Sequence, residues 1–204
     1  MLLFKNVHFI YISVALMIAG PLWVPAQPSA NVVKWVIEKN STLRVKGKSN
    51  VNSFTCNINE YTASDTISCV TGSSKPIKLS GKMQMEIVSF NCHSRVITRD
   101  LRETLKASEY PKMTIRFLTL QWMPGPHSEK ELIKGWVEVE VAGVIKRFEL
   151  SYSFSNDVAG HLQLDGGRTF NFSDFKLSPP KKMAGLIKIK DAFDVNFQLI
   201  LRAV

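Results

Sequence analysis

Ile77 to Val88 reads IKLSGKMQMEIV. Ile77, Leu79, Gly81, Met83, Met85 and Ile87 fall on one face and Lys78, Ser80, Lys82, Gln84 and Glu86 on the other, the period-two signature of an antiparallel strand with one wet face. Such a strand buries its apolar face only against neighbours built the same way.

The rest of the chain supplies those neighbours. Asn31 to Ile37 is a short β-prone opening. From Ser41 the alternation runs through Leu43, Val45, Gly47, Ser49 and Val51, then changes parity to Phe54, Cys56 and Ile58. We read Ser41 to Ile58 as one long strand bent at a bulge near Asn52-Ser53. Thr66 to Thr71 is a weaker strand, and 72–76 turns into the opening stretch. Thr98 to Ala107 is the one convincing helix, with Asp100 and Glu103 spaced as a capping box and Leu101 and Leu105 one turn apart. Pro111 disfavours helix at Tyr110, so it ends near Ser108. One narrow apolar face suits a plug over the end of a sheet.

Lys112 to Met123 returns to strand, with a second parity slip after Phe117, and Pro124 to Lys130 is a loop. Glu131 to Val141 and Arg147 to Phe154 alternate on either side of Ala142-Gly143-Val144 and read as a hairpin. His161 to Phe172 carries a Gly166-Gly167 flexure, and Gly185 to Arg202 closes the chain. About eight antiparallel strands with short turns fit a barrel or a two-sheet sandwich. The length of the first and last strands favours an eight-stranded antiparallel barrel with one short helix, whose interior can be packed or can hold one small ligand.

Before these strands, Lys5 precedes the apolar run Phe9 to Ala19, broken by Gly20-Pro21 and followed by Val24-Pro25-Ala26. That pattern reads as a secretory signal peptide spanning residues 1–26; a membrane-crossing helix would need about 20 continuous apolar residues. A domain covering residues 27–204 remains, in the periplasm or secreted. The formal charge of +9 favours anionic partners such as a membrane surface contacted transiently, and export argues against nucleic acid.

The three cysteines, Cys56, Cys69 and Cys92, imply in an oxidising compartment one disulfide and one spare thiol, with three possible pairings. Cys56 closes the bent early strand and Cys92 stands just before the helix, so Cys56 with Cys92 is the pairing expected to tie the helix-bearing end to the first long strand. No Cys-x-x-Cys, no zinc-like spacing, no Gly-x-Ser-x-Gly elbow and no phosphate-loop glycine pattern occurs. Asp157, Asp165, Asp174, Asp191 and Asp194 are spread over different strands and turns. No enzyme chemistry, metal or cofactor is therefore expected.

Four segments carry a resemblance: Ser41 to Gly47 running into Asn50 to Phe54; Thr98 to Leu101 with Leu105 to Phe117; Val139 to Arg147; and Phe172 to Pro180. In order and spacing the chain resembles the YceI-like family of exported bacterial proteins. The resemblance implies a lipocalin-like eight-stranded barrel around an apolar tunnel that holds a long-chain isoprenoid or similar amphiphilic lipid. It implies no catalytic residues. The run Ala142-Gly143-Val144-Ile145 departs from the family pattern, which carries a histidine there.

The inward candidates are Val45, Phe54, Met83, Met85, Ile115, Phe117, Val137, Val139, Phe148, Tyr152, Phe170, Phe172, Phe193, Val195 and Phe197. Taken alone they make a core. With the barrel and the resemblance they make a ligand wall, in which the flexible thioethers of Met83 and Met85 adapt to apolar contents. Lys176, Lys181 and Lys182, beside Pro179-Pro180, are candidates for meeting an anionic head group. Two functions stay open: carriage of a long-chain lipid, or an exported adhesive or carbohydrate-binding module with a packed interior and Trp122 and Trp136 as an aromatic platform. Oligomeric state is not readable. N-terminal analysis of exported protein is expected to find Gln27 as the first residue; a product retaining Phe9 to Ala19 would replace the leader by an anchor.

Overall fold

Alternation becomes sheet only where register brings like faces together. The computed structural model describes residues 31–72, 75–123, 131–156 and 160–204; the expected leader, the expected loop at Pro124 to Lys130 and Asp157 lie outside the described residues. The strands are β1 (Asn31–Ile37), β2 (Thr42–Ser49), β3 (Ser53–Ile58), β4 (Thr66–Thr71), β5 (Ile77–Ser80), β6 (Lys82–Glu86), β7 (Lys112–Leu120), β8 (Ile133–Val141), β9 (Val144–Asn156), β10 (Leu162–Asn171), β11 (Lys181–Lys182) and β12 (Ile187–Ala203). The single helix among the described residues, α1, spans Arg95–Thr104.

Eight of these strands form a ring. The order β1-β4-β5-β7-β8-β9-β10-β12 is joined end to end because β1 pairs with both β4 and β12. The strand pairings among the described residues are antiparallel, and Trp35 and Ile37 of β1 point into the core. β12 is long enough to pair with β1 through Leu201 to Ala203 and with β2 through Ile189 to Gln198. At this second end the wall runs from β3 through β2, β12, β10, β9, β8 and β7 to β6.

No strand ladder joins β3 to β6. A backbone bridge instead joins β3 to the segment after β6, with Asn57 N–H donating to Asn91 O at 2.8 Å and Asn91 N–H to Asn57 O at 2.9 Å. Beside it Cys56 and Cys92 are disulfide-bonded, and Cys69 is free and buried. The helix lies over this end. Ser94 Oγ accepts from Ile97 N–H at its start, and Ala107 N–H donating to Arg102 O with Lys106 left-handed closes it.

Three readings need correction. The parity change at Asn52-Ser53 is a hairpin turn, not a bulge: β2 and β3 pair as Val45 with Cys56 and Gly47 with Phe54, so odd residues of one strand share a face with even residues of the next. Ser49 Oγ organises that turn, accepting from Val51 N–H and Asn52 N–H. The opening stretch is two strands, broken at Gly81, whose φ of 152° and proximity to Thr66 leave no room for a Cβ. The helix begins at Arg95, three residues before Thr98, because Ser94 and not Asp100 is the cap. The slip after Phe117 is a real irregularity of register, and the Ala142-Gly143 turn joins β8 to β9.

Because the Cys56–Cys92 link spans 36 residues, the chain-entropy account gives it about 3 to 4 kcal/mol. Denaturant unfolding of a Cys56→Ala/Cys92→Ala variant is expected to show a loss of that size, with secondary structure retained; an unchanged midpoint would mean that the seam is held without it.

Candidate functional site

Inside the ring the apolar side chains leave three cavities in a row. The first, about 70 Å³, lies under α1 and is lined by Leu43, Val45, Phe90, Leu101, Leu105, Met113, Ile115, Val139, Val141, Leu150, Phe170, Phe172, Phe175, Leu177, Phe193, Val195 and Phe197, with Arg168. The second, about 20 Å³, lies among Met83, Met85, Phe117 and Leu199, and shares Leu43, Ile115, Leu150 and Phe197 with the first. The third, about 10 Å³, reaches Trp35, Ile67 and Tyr152 and shares Phe117 and Leu199 with the second. Shared walls make the row one apolar column.

Of the residues expected to face inward, Val45, Ile115, Val139, Phe170, Phe172, Phe193, Val195 and Phe197 line the first cavity. Met83, Met85 and Phe117 line the second and Tyr152 the third. Phe54 lines a separate cleft of about 190 Å³ beside α1, with Ile97, Asp100, Ile187 and Ile189. Val137 is fully buried and Phe148 stacks edge-on to Phe170 at 4.8 Å; both pack in the wall without lining any of these cavities. Met113, Ile115, Phe193, Val195 and Phe197 are only part-buried although they pack on the core, as side chains facing unfilled space are.

Glycine makes room for an aromatic ring at two points. A Cβ on Gly166 would lie 2.3 Å from Phe197 Cζ, so the ring lies flat on β10 between the first and second cavities. Gly47 gives the same room to Phe54. Tyr152 packs edge-on against Phe197 at 5.9 Å, and burial pushes its phenol well above the ordinary range, so it stays neutral.

Sequence reasoning missed Leu43, Met113, Val141 and Leu150, which carry the right parity, and Phe90, Leu101, Leu105, Phe175 and Leu177, which come from the helix, turns and irregular segments where alternation gives no direction. It also missed Arg168, which shares the parity of Phe170. Lys176 and Lys181 are exposed and line none of the three cavities; the side chain of Lys182 lies outside the described residues. Trp136 is exposed, whereas Trp122 packs partly against the core. Among the described residues no group of three or more metal-ligating side chains occurs.

Neither a family model nor a curated protein sequence matches the chain. Solved structures do. A polyisoprenoid binding domain from Saccharophagus degradans, implicated in plant cell wall breakdown, superposes with a TM-score of 0.59 over 83% of this chain and 98% of its own, at 12% identity. The BcnA protein of Burkholderia cenocepacia does so with a TM-score of 0.57 over 78% and 95%, at 14% identity. This chain has their fold. The all-β ring with one short helix implied by the YceI-like resemblance is therefore present, and at these identities the likeness speaks for the fold alone.

Gly166→Ala is expected to swing the Phe197 ring off β10 and into the column. Because the atoms met are the far end of a rotatable side chain, thermal stability should fall by no more than a few degrees while uptake of a fluorescent long-chain acyl probe drops severalfold. Unchanged uptake would place Phe197 outside the path.

Proposed function

We propose that the protein binds and carries a long-chain amphiphilic lipid, isoprenoid-like in length and apolarity, in the column inside a lipocalin-like barrel, without converting it chemically. The observation that carries the reading is the row of three wall-sharing apolar cavities. A chain threaded there trades water for hydrocarbon at roughly 0.8 kcal/mol per CH₂, and a column without a catalytic constellation offers it no reaction. The cavities are smaller than such a chain, so side chains must rotate to admit it; Met83, Met85 and Met113 are the adaptable ones, with Met85 opposite Met113 in register. The fold shared with a polyisoprenoid binding domain supports the ligand class. The expected secretory leader would direct the carrier to the periplasm or outside the cell, where its positive charge favours transient contact with anionic membrane.

Lipids of graded tail length, titrated into delipidated protein, test this. Affinity is expected to climb with each added methylene until the column is filled. Met85→Trp fills the second cavity and not the first, so it should leave short tails bound as before and remove the gain from longer ones; overpacking costs about 1 to 3 kcal/mol of stability, and the variant is first shown folded by circular dichroism. No binding at any length would favour the adhesive or carbohydrate-binding module.

A further inference from the structure

Resting on that reading, we propose that Arg168 is the head-group site of the column, holding a carboxylate or phosphate at a notch between β9 and β10 while the tail enters the first cavity. The two strands pair from Leu162 with Asn156 to Gly167 with Ser151 and no further. Beyond that point β10 pairs only with β12 and the first half of β9 only with β8, so the wall is split beside the first cavity. Arg168 is the first residue of β10 past the split and the one charged side chain among that cavity's lining residues. Its guanidinium lies 5.2 Å from the Phe148 ring centroid and 6.0 Å from that of Phe170, and Nη1 donates to Glu149 O at 2.8 Å across the notch.

One hydrogen bond leaves the rest of the fork open. The side chain is exposed and has no carboxylate partner among the described residues. The other cation spanning the notch, Lys146, is occupied by Asp174 at 3.1 Å, whose carboxyl is held below the usual range by the Asn171 backbone N–H and by Lys146 itself. A guanidinium held over the Phe148 and Phe170 rings, the second of which also walls the apolar space, offers an anionic oxygen a planar pair of donors, at the place where the tail has somewhere to go.

The test uses three probes with one tail, oleate, mono-oleyl phosphate and oleyl alcohol, titrated at mildly alkaline pH into wild type, Arg168→Gln and Arg168→Lys. Wild type should bind both anions about tenfold or more tighter than the alcohol. Arg168→Gln should bring them down to the alcohol's affinity and leave the alcohol unchanged, with Arg168→Lys between; the anion that loses more identifies carboxylate or phosphate. An anion preference that survives in folded Arg168→Gln overturns the head-group site and leaves lipid carriage standing, whereas binding of none of the three by wild type overturns both. Should the glutamine variant fail to fold, the salt dependence in wild type decides: the anion preference should shrink as ionic strength rises, and a salt-independent preference overturns the assignment.

Discussion

Everything in this fold depends on β1 being paired on both sides. A strand with one partner leaves a row of unsatisfied backbone groups, and the sheet then needs only one covered face. Pairing to β4 on one edge and β12 on the other removes that freedom: every strand of the ring has an inside and an outside, and the parity of each side chain assigns it to one or the other. The apolar column follows from the ring, because inward residues from opposite walls meet across a space whose width is set by strand number rather than by side-chain size.

The helix end is built differently. There no ladder joins the two outermost strands, β3 and β6; one backbone bridge and one disulfide tie β3 to the segment that follows β6, and Leu101 and Leu105 of α1 descend over the gap to line the first cavity. Of the three cavities in the column, the largest lies at this less constrained end and the smallest beneath the fully paired ring. A side-chain wall closed by a helix and a covalent clasp can yield locally without unzipping a ladder, which suits the end at which a ligand must enter.

Most strands were legible because half-buried antiparallel strands alternate, and Thr66–Thr71 and the β8–β9 hairpin read directly from that alternation. The β2–β3 hairpin was not, because a parity change marks equally an inserted residue within one strand and a tight turn between two. Only the local hydrogen bonding of Ser49 decides between them. Alternation also located much of the wall yet not its emptiness: Val137 and Val139 have the same parity, but only Val139 lines a cavity. Whether an inward side chain touches a neighbour or a void depends on what reaches it from across the ring, and residues such as Phe90, Phe175 and Leu177 arrive there from segments with no period to read.

Charge illustrates the same limit from the other side. Most cations lie on the outer surface, where water solvates them and nearby carboxylates such as Glu138 for Arg116 or Glu149 for Lys134 screen them; such pairs contribute little beyond solubility. A net charge therefore says little about where an anion would bind. What distinguishes Arg168 is the local arrangement: inward parity, a gap in the pairing on one side, aromatic faces beneath it and an apolar cavity beside it. An isolated cation in such a place would be costly if it were sealed from water, and it is not sealed. The split in the wall keeps the guanidinium hydrated and still in contact with the column, so one end of an amphiphile could stay at the water's edge while the other leaves it.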